Sequence, residues 1–207
     1  MTGIKVLIVE DEPIIAKNIG MYLNNNDFEV SGIAYDPEDA MYQLKIHPPD
    51  FAIIDINLES EMDGIHIADH INRYNFIPFI YLTSYSDRET IERAKKTNPS
   101  GFIVKPFNEK TLYATIEIAL SNHALQANRH IPSLSPEKIN KQLVTVLTER
   151  EFEVMKLIYE GKTNQQIADS LFIAVNTLKK HINSAYFKID VTSRTTAIAK
   201  LREYMMQ

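Results

Sequence analysis

Residues 4–12 read IKVLIVEDE. The first six of them are apolar except for Lys5, and three acidic residues follow directly. An unbroken apolar run of this length, without polar alternation, predicts a strand that is buried on both faces of a parallel sheet. Four further runs have the same character or a weaker form of it: FEVSGIA (28–34), FAIID (51–55), FIYLT (79–83) and GFIV (101–104). Five strands are therefore predicted in the first half of the chain.

Segments with helical spacing separate these strands. Ile15, Ile19 and Leu23 fall on one face of the first segment, and Leu112 and Ile116 repeat the spacing in the last. Strands that alternate with helices predict an α/β fold with a doubly wound, five-stranded parallel sheet of the flavodoxin-like type. Ligands bind such sheets outside the carboxyl ends of the strands, so the residues at those ends are the first candidates for a site.

Polar residues stand at four of the predicted strand ends. Glu10 and Asp11 follow the first strand, Asp55 ends the third, Thr83 ends the fourth and Lys105 follows the fifth. Clustered carboxylates repel one another unless a cation neutralises them, and their hard oxygens suit Mg²⁺. A lysine and a metal supply the charge neutralisation that phosphoryl transfer needs, and an aspartate can be its nucleophile. Acidic strand ends and Lys-Pro turns are individually common, but the combination at four ends favours a phosphoryl-transfer site.

With these residues in place, residues 3–122 resemble the receiver domain of bacterial response regulators. The resemblance implies that Asp55 is the phosphoacceptor. It also implies that Glu10, Asp11 and Asp55 hold Mg²⁺ together with the backbone carbonyl of Asn57.

The same resemblance assigns the residues around the phosphoryl group. Thr83 would be the switch hydroxyl, Lys105 would pair with the phosphoryl group, and Pro106 would follow a cis peptide bond. Phe102 stands where the family has its aromatic switch residue, and a core phenylalanine is the alternative. The chain departs from the family pattern in its Glu-Asp acidic pair and in the loop INLESEMDG (56–64), which lacks the usual Met-Pro and is one residue longer.

Composition and charge narrow the class of protein. No apolar stretch reaches the ~18 residues that a membrane helix needs, the first apolar run is too short for a secretory signal, and the absence of cysteine excludes disulfides and thiolate metal sites. We therefore expect a cytoplasmic protein that does not associate with membranes. Residues 1–123 carry 19 acidic and 10 basic residues, whereas residues 124–207 carry 8 acidic and 12 basic ones. Only the second, basic part suits DNA, although surface charge can also drift between unrelated domains.

The pattern of the chain changes between these two parts. The stretch SNHALQANRHIPSLSPEKINKQL (121–143) contains two prolines and no long apolar stripe, which predicts a linker. We expect a first domain at 1–122, a linker at 123–143 and a small all-α domain of four helices at 144–207. The four helices are predicted near 148–160, 164–171, 175–189 and 193–205.

The second and third of these helices match a helix-turn-helix. The third helix would place Lys179, Lys180, Asn183 and Lys188 on its exposed face, and its first turns would enter the major groove of DNA. A solvated lysine face on an ordinary amphipathic helix is the alternative. Lys188, Arg150 and Arg194 are better placed for phosphates than for bases.

Residues 147–182, LTEREFEVMKLIYEGKTNQQIADSLFIAVNTLKKHI, resemble the LuxR-type DNA-binding domain. The resemblance implies that Lys179, Lys180 and Asn183 read bases and that His181 packs or contacts a phosphate. A receiver followed by this domain is the architecture of the NarL/FixJ family of response regulators. It implies a sensor histidine kinase as phosphodonor, double-stranded DNA as target and a homodimer as the active form.

Other functions are open at this point. A phosphatase of the aspartyl-phosphate type is an enzyme alternative, but Asn57 occupies the position where those enzymes carry their second acid. A DNA-binding regulator could also use its receiver as a dimerisation module without phosphorylation. In the last predicted helix, Ile198, Leu201 and Met205 would either form a dimer face or close the small core.

Overall fold

The structure is a computed structural model that describes residues 3–24, 27–58, 60, 62–84, 88–128 and 133–206. The chain separates into two compact units, which divide between Leu120 and Ser121. Within the described part of the chain, none of the helices combines the length and the apolar character that crossing a bilayer requires.

Strands and helices alternate in the first unit. Its elements are β1 (Ile4–Val9), α1 (Pro13–Leu23), β2 (Phe28–Ala34), α2 (Pro37–Ile46), β3 (Phe51–Asp55), α3 (Gly64–His70) with a following π-helical turn (Ile71–Asn75), β4 (Phe79–Thr83), α4 (Arg88–Lys96), β5 (Gly101–Val104) and α5 (Glu109–Asn128). The strands form one parallel sheet in the order β2-β1-β3-β4-β5. The predicted doubly wound five-stranded sheet is confirmed.

The sheet separates two apolar cores. Alternate residues of a strand point to opposite faces, so Leu7 and Val9 of β1 join the core under α2 and α3, whereas Val6 and Ile8 join the core under α1 and α5. A strand with apolar residues on both faces can only lie in the interior of such a sheet, which explains the unbroken run in IKVLIV.

Strand register brings four strand ends to one edge of the sheet. Val9 pairs with Ile54, Asp55 pairs with Leu82, and Thr83 pairs with Val104. The carboxyl ends of β1, β3, β4 and β5 therefore lie side by side, as the sequence predicted.

Five helices and the end of α5 make up the second unit. They are α6 (Pro136–Lys141), α7 (Glu149–Tyr159), α8 (Asn164–Ser170), α9 (Val175–Ile189) and α10 (Arg194–Met206). The last four match the four predicted helices to within two residues. Thr148 caps α7 and Thr163 caps α8, each with a capping box in which the third helical residue bonds back to the cap.

Sequence reasoning missed α6, which lies inside the segment predicted as a linker. Ser135 accepts a hydrogen bond from the N–H of Lys138, Pro136 occupies the first turn, and Ile139 is fully buried in the core of the second unit. Six residues with one buried side chain carry too little periodicity to be recognised, but Ser-Pro-Glu is a helix start signal.

Candidate functional sites

The strand ends in the first unit are held in place by backbone hydrogen bonds that continue just past the strands. The N–H of Glu10 donates to the carbonyl of Ala34 at 3.0 Å, and the N–H of Lys105 donates to the carbonyl of Thr83 at 2.8 Å. These two bonds fix the backbone from which the side chains of Glu10 and Lys105 project.

Glu10, Asp55 and Lys105 form a buried ion-pair network at this edge. Nζ of Lys105 lies 2.7 Å from Oε2 of Glu10 and 2.7 Å from Oδ2 of Asp55. Glu10 is fully buried and Asp55 is 5% exposed. One ammonium group thus holds together two carboxylates from different strands.

Burial and neighbouring charges shift the pKa values of Glu10 and Lys105. Burial, opposed by the hydrogen bond from Lys105 and reinforced by the charge of Asp55, raises the pKa of Glu10 to about 7. Burial alone would lower the pKa of Lys105, but its hydrogen bonds and charge interactions with Asp55 and Glu10 outweigh burial and raise that pKa. Lys105 therefore stays charged, whereas the ionised form of Glu10 is disfavoured beside the carboxylate of Asp55.

Asp11 completes an acidic cluster. One carboxylate oxygen each from Glu10, Asp11 and Asp55 lies within 4.8 Å of the others. Asn57 is exposed, and its backbone N–H donates to Oδ1 of Asp55 at 3.1 Å. The structure therefore brings together the three carboxylates that the sequence placed around a metal ion, and Asn57 contacts Asp55 through its backbone N–H.

The loop after Asp55 returns to the strand at a glycine that sequence reasoning did not single out. The N–H of Gly64 donates to the carbonyl of Ile56 at 3.0 Å. A Cβ on Gly64 would collide with the backbone carbonyl of Asp55. The neighbouring Asp63 caps α3 and lies 2.8 Å from Nη2 of Arg93 in α4. The sequence could have indicated this glycine through the pair Asp63-Gly64, in which an N-cap residue precedes a residue without a side chain.

Thr83 and Phe102 occupy neighbouring strands on the same side of this unit. Thr83 is buried at the end of β4, whereas Phe102 is 37% exposed, with its ring centroid 5.5 Å from that of Tyr81. Phe102 is thus a surface aromatic on β5 and not the core residue that was its alternative. The peptide bond between Lys105 and Pro106 is cis, as the resemblance implied.

A cavity of about 380 Å³ opens beside Lys105. Its lining runs along α1 and includes residues that follow β4 and β5: Glu12, Ile15, Asn18, Tyr22, Ser84, Lys105, Pro106 and Phe107. Lys105 therefore borders a groove, although Glu10, Asp11 and Asp55 are not among the residues that line it.

In the second unit, α8 and α9 form the predicted helix-turn-helix. The inner face of α9 carries Leu178, Ile182, Ala185 and Ile189, which are all buried. Lys180 and Asn183 are exposed, and Lys179 and His181 are half-buried. Phe187, which sequence reasoning did not consider, extends the stripe of Lys180 and Asn183 and is also exposed.

Two basic residues that were expected to contact DNA are engaged within the unit. Nζ of Lys188 lies 2.6 Å from Oε2 of Glu151 and donates to the carbonyl of Val146 at 3.0 Å. Arg194 is 6% exposed, and its Nη2 donates to the carbonyls of Ile158 at 3.0 Å and Lys162 at 2.5 Å. Buried guanidinium groups need such acceptors. The charged groups of Lys188 and Arg194 thus both have acceptors within the second unit.

Two further expectations are refined. Nη2 of Arg150 donates to the carbonyl of Leu171 at 2.6 Å and thereby ties α7 to the turn between α8 and α9. Leu201 and Met205 are buried in the core of the second unit, and Ile198 packs against that core. The last helix closes the core, which was one of its two predicted roles.

Known protein families cover both units. The response regulator receiver domain matches residues 6–117, and the luxR family of bacterial regulatory proteins matches residues 145–201. The response regulator protein VraR of Staphylococcus saprophyticus is 29% identical over 198 residues, which is 94% of each chain. The transcriptional regulatory protein PdtaR of Mycobacterium tuberculosis is 33% identical over 158 residues, which is 76% of this chain and 71% of that protein.

Solved structures agree on the fold. Full-length FixJ from B. japonicum aligns with a TM-score of 0.54 at 19% identity and covers 100% of both chains. The signal receiver domain of a modulated diguanylate cyclase from Desulfovibrio desulfuricans G20 aligns with a TM-score of 0.56 at 34% identity, covering 59% of this chain and 97% of that one.

An α/β unit with an acidic cluster at its strand ends, joined to a helix-turn-helix unit, defines a DNA-binding regulator of transcription. The chain belongs to the response regulators of two-component systems, with a receiver domain and a LuxR-type domain as in the NarL/FixJ group. Proteins of this kind are receivers and DNA-binding regulators rather than enzymes. The receiver implies a sensor kinase as partner, and the LuxR-type domain implies DNA.

Proposed function

We propose that a sensor histidine kinase phosphorylates this response regulator on Asp55 and thereby controls its binding to DNA. The observation that carries the proposal is the contact of Lys105 with both Asp55 and Glu10 at 2.7 Å. A nucleophilic carboxylate that is to accept a phosphoryl group needs a positive charge within reach, because the incoming group is itself negative. Lys105 supplies that charge beside Asp55.

The acidic cluster suits Mg²⁺. Three carboxylates lie close together, and burial together with the charge of Asp55 raises the pKa of Glu10, so a bound cation would favour the ionised form of that carboxyl. We propose that Glu10, Asp11, Asp55 and the backbone carbonyl of Asn57 hold the ion, with water completing its ligands. Bound Mg²⁺ would supply further neutralisation of the phosphoryl oxygens.

In the transfer step, a carboxylate oxygen of Asp55 forms a bond to phosphorus while the phosphorus–nitrogen bond of the kinase phosphohistidine breaks. The electron pair of that bond stays on the imidazole nitrogen, which takes up a proton. Lys105 neutralises a phosphoryl oxygen as a point charge. The cavity beside Lys105 is the side from which we expect the donor to approach.

Phosphorylation adds charge and strong hydrogen-bond acceptors at the end of β3. We propose that the hydroxyl of Thr83, at the end of the neighbouring strand, donates to the phosphoryl group and that Phe102 on β5 responds. Physically, the phosphoryl group favours one of two pre-existing conformations. A coupling free energy of ~1–3 kcal/mol would change DNA affinity about 5–150-fold.

For DNA recognition, we propose that Lys179, Lys180 and Asn183 of α9 contact base edges in the major groove. The exposure of Lys180 and Asn183 on one stripe of the helix supports this assignment. We propose that the active form is a cytoplasmic homodimer, because two copies of a helix-turn-helix bind half-sites about one helical turn apart and gain avidity.

The test is intact mass after incubation with acetyl phosphate and Mg²⁺. We expect a gain of one phosphoryl group in the wild type and none in Asp55→Asn. Asp50→Asn is the matched control, because Asp50 is also buried but lies at the opposite end of β3. Labelling that survives in Asp55→Asn would refute the phosphoacceptor, and labelling of no variant would favour a regulator that works without phosphorylation.

A further inference from the structure

A phenylalanine occupies a backbone position in the helix-turn-helix that suits glycine. Phe172 follows α8 with φ 54°. Its N–H donates to the carbonyl of Asp169 at 3.2 Å, and the N–H of Ile173 donates to the carbonyl of Ala168 at 3.0 Å. This is a helix-terminating turn whose left-handed residue is usually glycine, because glycine has no Cβ.

Phe172 differs in residue type from most of the other described residues with positive φ. Gly161, Asn98 and Asp190 are of the types that adopt this conformation readily. Phe76, with φ 54° after the π-helical turn of the receiver, is the one other bulky residue among the described positions. A bulky residue in this conformation is unfavourable, so its presence needs a reason that the backbone does not provide.

Packing within the fold is not that reason. The side chain of Phe172 is 95% exposed. The turn is held by other groups, since Arg150 donates to the carbonyl of Leu171 at 2.6 Å. The fold therefore bears a cost for Phe172 and gains almost no apolar burial from it.

The position of Phe172 indicates what would use the ring. It precedes Val175, the first residue of α9, by three residues, and α9 carries the proposed base contacts Lys180 and Asn183. When the first turns of such a helix enter the major groove, the turn before it lies at the groove edge, where the sugar-phosphate backbone runs.

We infer that Phe172 is a DNA contact that packs its ring against a deoxyribose at the edge of the major groove. The carbon face of a sugar accepts an uncharged aromatic ring, and every nucleotide presents one, so the contact adds affinity without reading sequence. The inference rests on the proposed DNA binding by α9. Phe187 is exposed as well, but it has ordinary helical backbone geometry and carries no comparable cost.

The test is Phe172→Gly in the full chain, treated with acetyl phosphate and Mg²⁺. Binding to a short fluorescein-labelled duplex of random sequence is followed by anisotropy at several salt concentrations, and the Tm is measured in parallel. We expect an unchanged Tm or a rise of about 4 °C, because glycine relieves the backbone. We expect the affinity to fall about fivefold, which is about 1 kcal/mol, with an unchanged salt dependence because no charge is lost.

Two controls separate the possible failures. Phe76→Gly makes the same backbone change in the receiver and should leave DNA affinity unaltered. Lys180→Ala should weaken binding by the proposed interface.

Wild-type affinity in Phe172→Gly, with weakened binding in Lys180→Ala, would overturn the inference alone, and so would a changed salt dependence in Phe172→Gly. If neither variant weakens binding, the proposed interface itself is wrong. Phe172→Asn, whose side chain tolerates positive φ, repeats the test should Phe172→Gly lower the Tm.

Discussion

Gly64 lies so close to the backbone carbonyl of Asp55 that no side chain fits between them. The carbonyl belongs to the residue that we propose as phosphoacceptor, and Gly64 begins α3. The loop that follows Asp55 therefore ends in direct contact with the end of β3. The position of Asp55 and the closure of its loop depend on each other.

Gly64→Ala should consequently disturb the site. The Cβ would force the backbone apart, and overpacking of this kind costs about 1–3 kcal/mol. We expect a lower Tm and slower labelling by acetyl phosphate, measured by intact mass over time. Gly20→Ala is the control, because a Cβ there meets only side chains at 3.8 Å or more and alanine favours a helix interior. Equal labelling rates in both variants would show that loop closure does not position Asp55.

The affinity for Mg²⁺ should depend on pH. The pKa of Glu10 is raised to about 7 without metal, chiefly by burial, and the ion competes with that proton. Affinity should therefore fall as the pH decreases below about 7, because binding must first release the proton. The same raised pKa means that Glu10 lowers the free energy of unfolding as the pH rises from 4.5 toward 7, since the folded state favours the protonated carboxyl. Mg²⁺ titrations near pH 6 and pH 8 check the predicted fall in Mg²⁺ affinity, and Glu10→Gln should flatten the pH dependence of that affinity.

Glu151 in the second unit should change the free energy of unfolding with pH in the opposite direction to Glu10. Although burial raises its pKa, hydrogen bonds from Lys188, Ser184 and Thr148 outweigh burial and lower that pKa to about 2. Its folded-state pKa is below the unfolded value of 4.5, so its stabilisation is present above that pH and is lost as the pH falls toward 2. We expect Glu151→Gln to cost on the order of 2 kcal/mol at neutral pH and little at low pH.

Thermal unfolding of Glu151→Gln across this pH range is the measurement. Glu153→Gln serves as the comparison, because the pair between Glu153 and Arg150 is partly exposed and such pairs contribute little. A loss of stability in Glu151→Gln that is the same at every pH would assign the effect to packing and not to charge.

Lys180→Ala should weaken recognition of specific DNA and leave phosphorylation intact. A lysine that makes a good contact with a base edge discriminates bases by about 1–3 kcal/mol. The measurement is selection of bound sequences from a random duplex library, with wild type and variant compared at matched salt. An unchanged set of selected sequences would exclude Lys180 from base reading.

How far the sequence predicts this structure varies with the kind of interaction. The strands were recognisable because burial on both faces demands uninterrupted apolar residues, and Glu10, Asp55 and Lys105 followed from the meeting of parallel strand ends. The contact of Glu151 with Lys188 joins residues 37 positions apart on two helices, and no periodicity encodes such a pairing. For the same reason Lys188 looked like a free surface charge in the sequence.

The order of strands in the sheet has a consequence for synthesis on the ribosome. Both carboxylates of the buried network are made early, since Glu10 follows β1 and Asp55 ends β3, whereas Lys105 comes after β5, the last strand of the sheet. At ~5–20 residues per second, N-terminal domains can fold during translation. A nascent receiver therefore acquires the counter-charge of its two buried acids only after its final strand has been made.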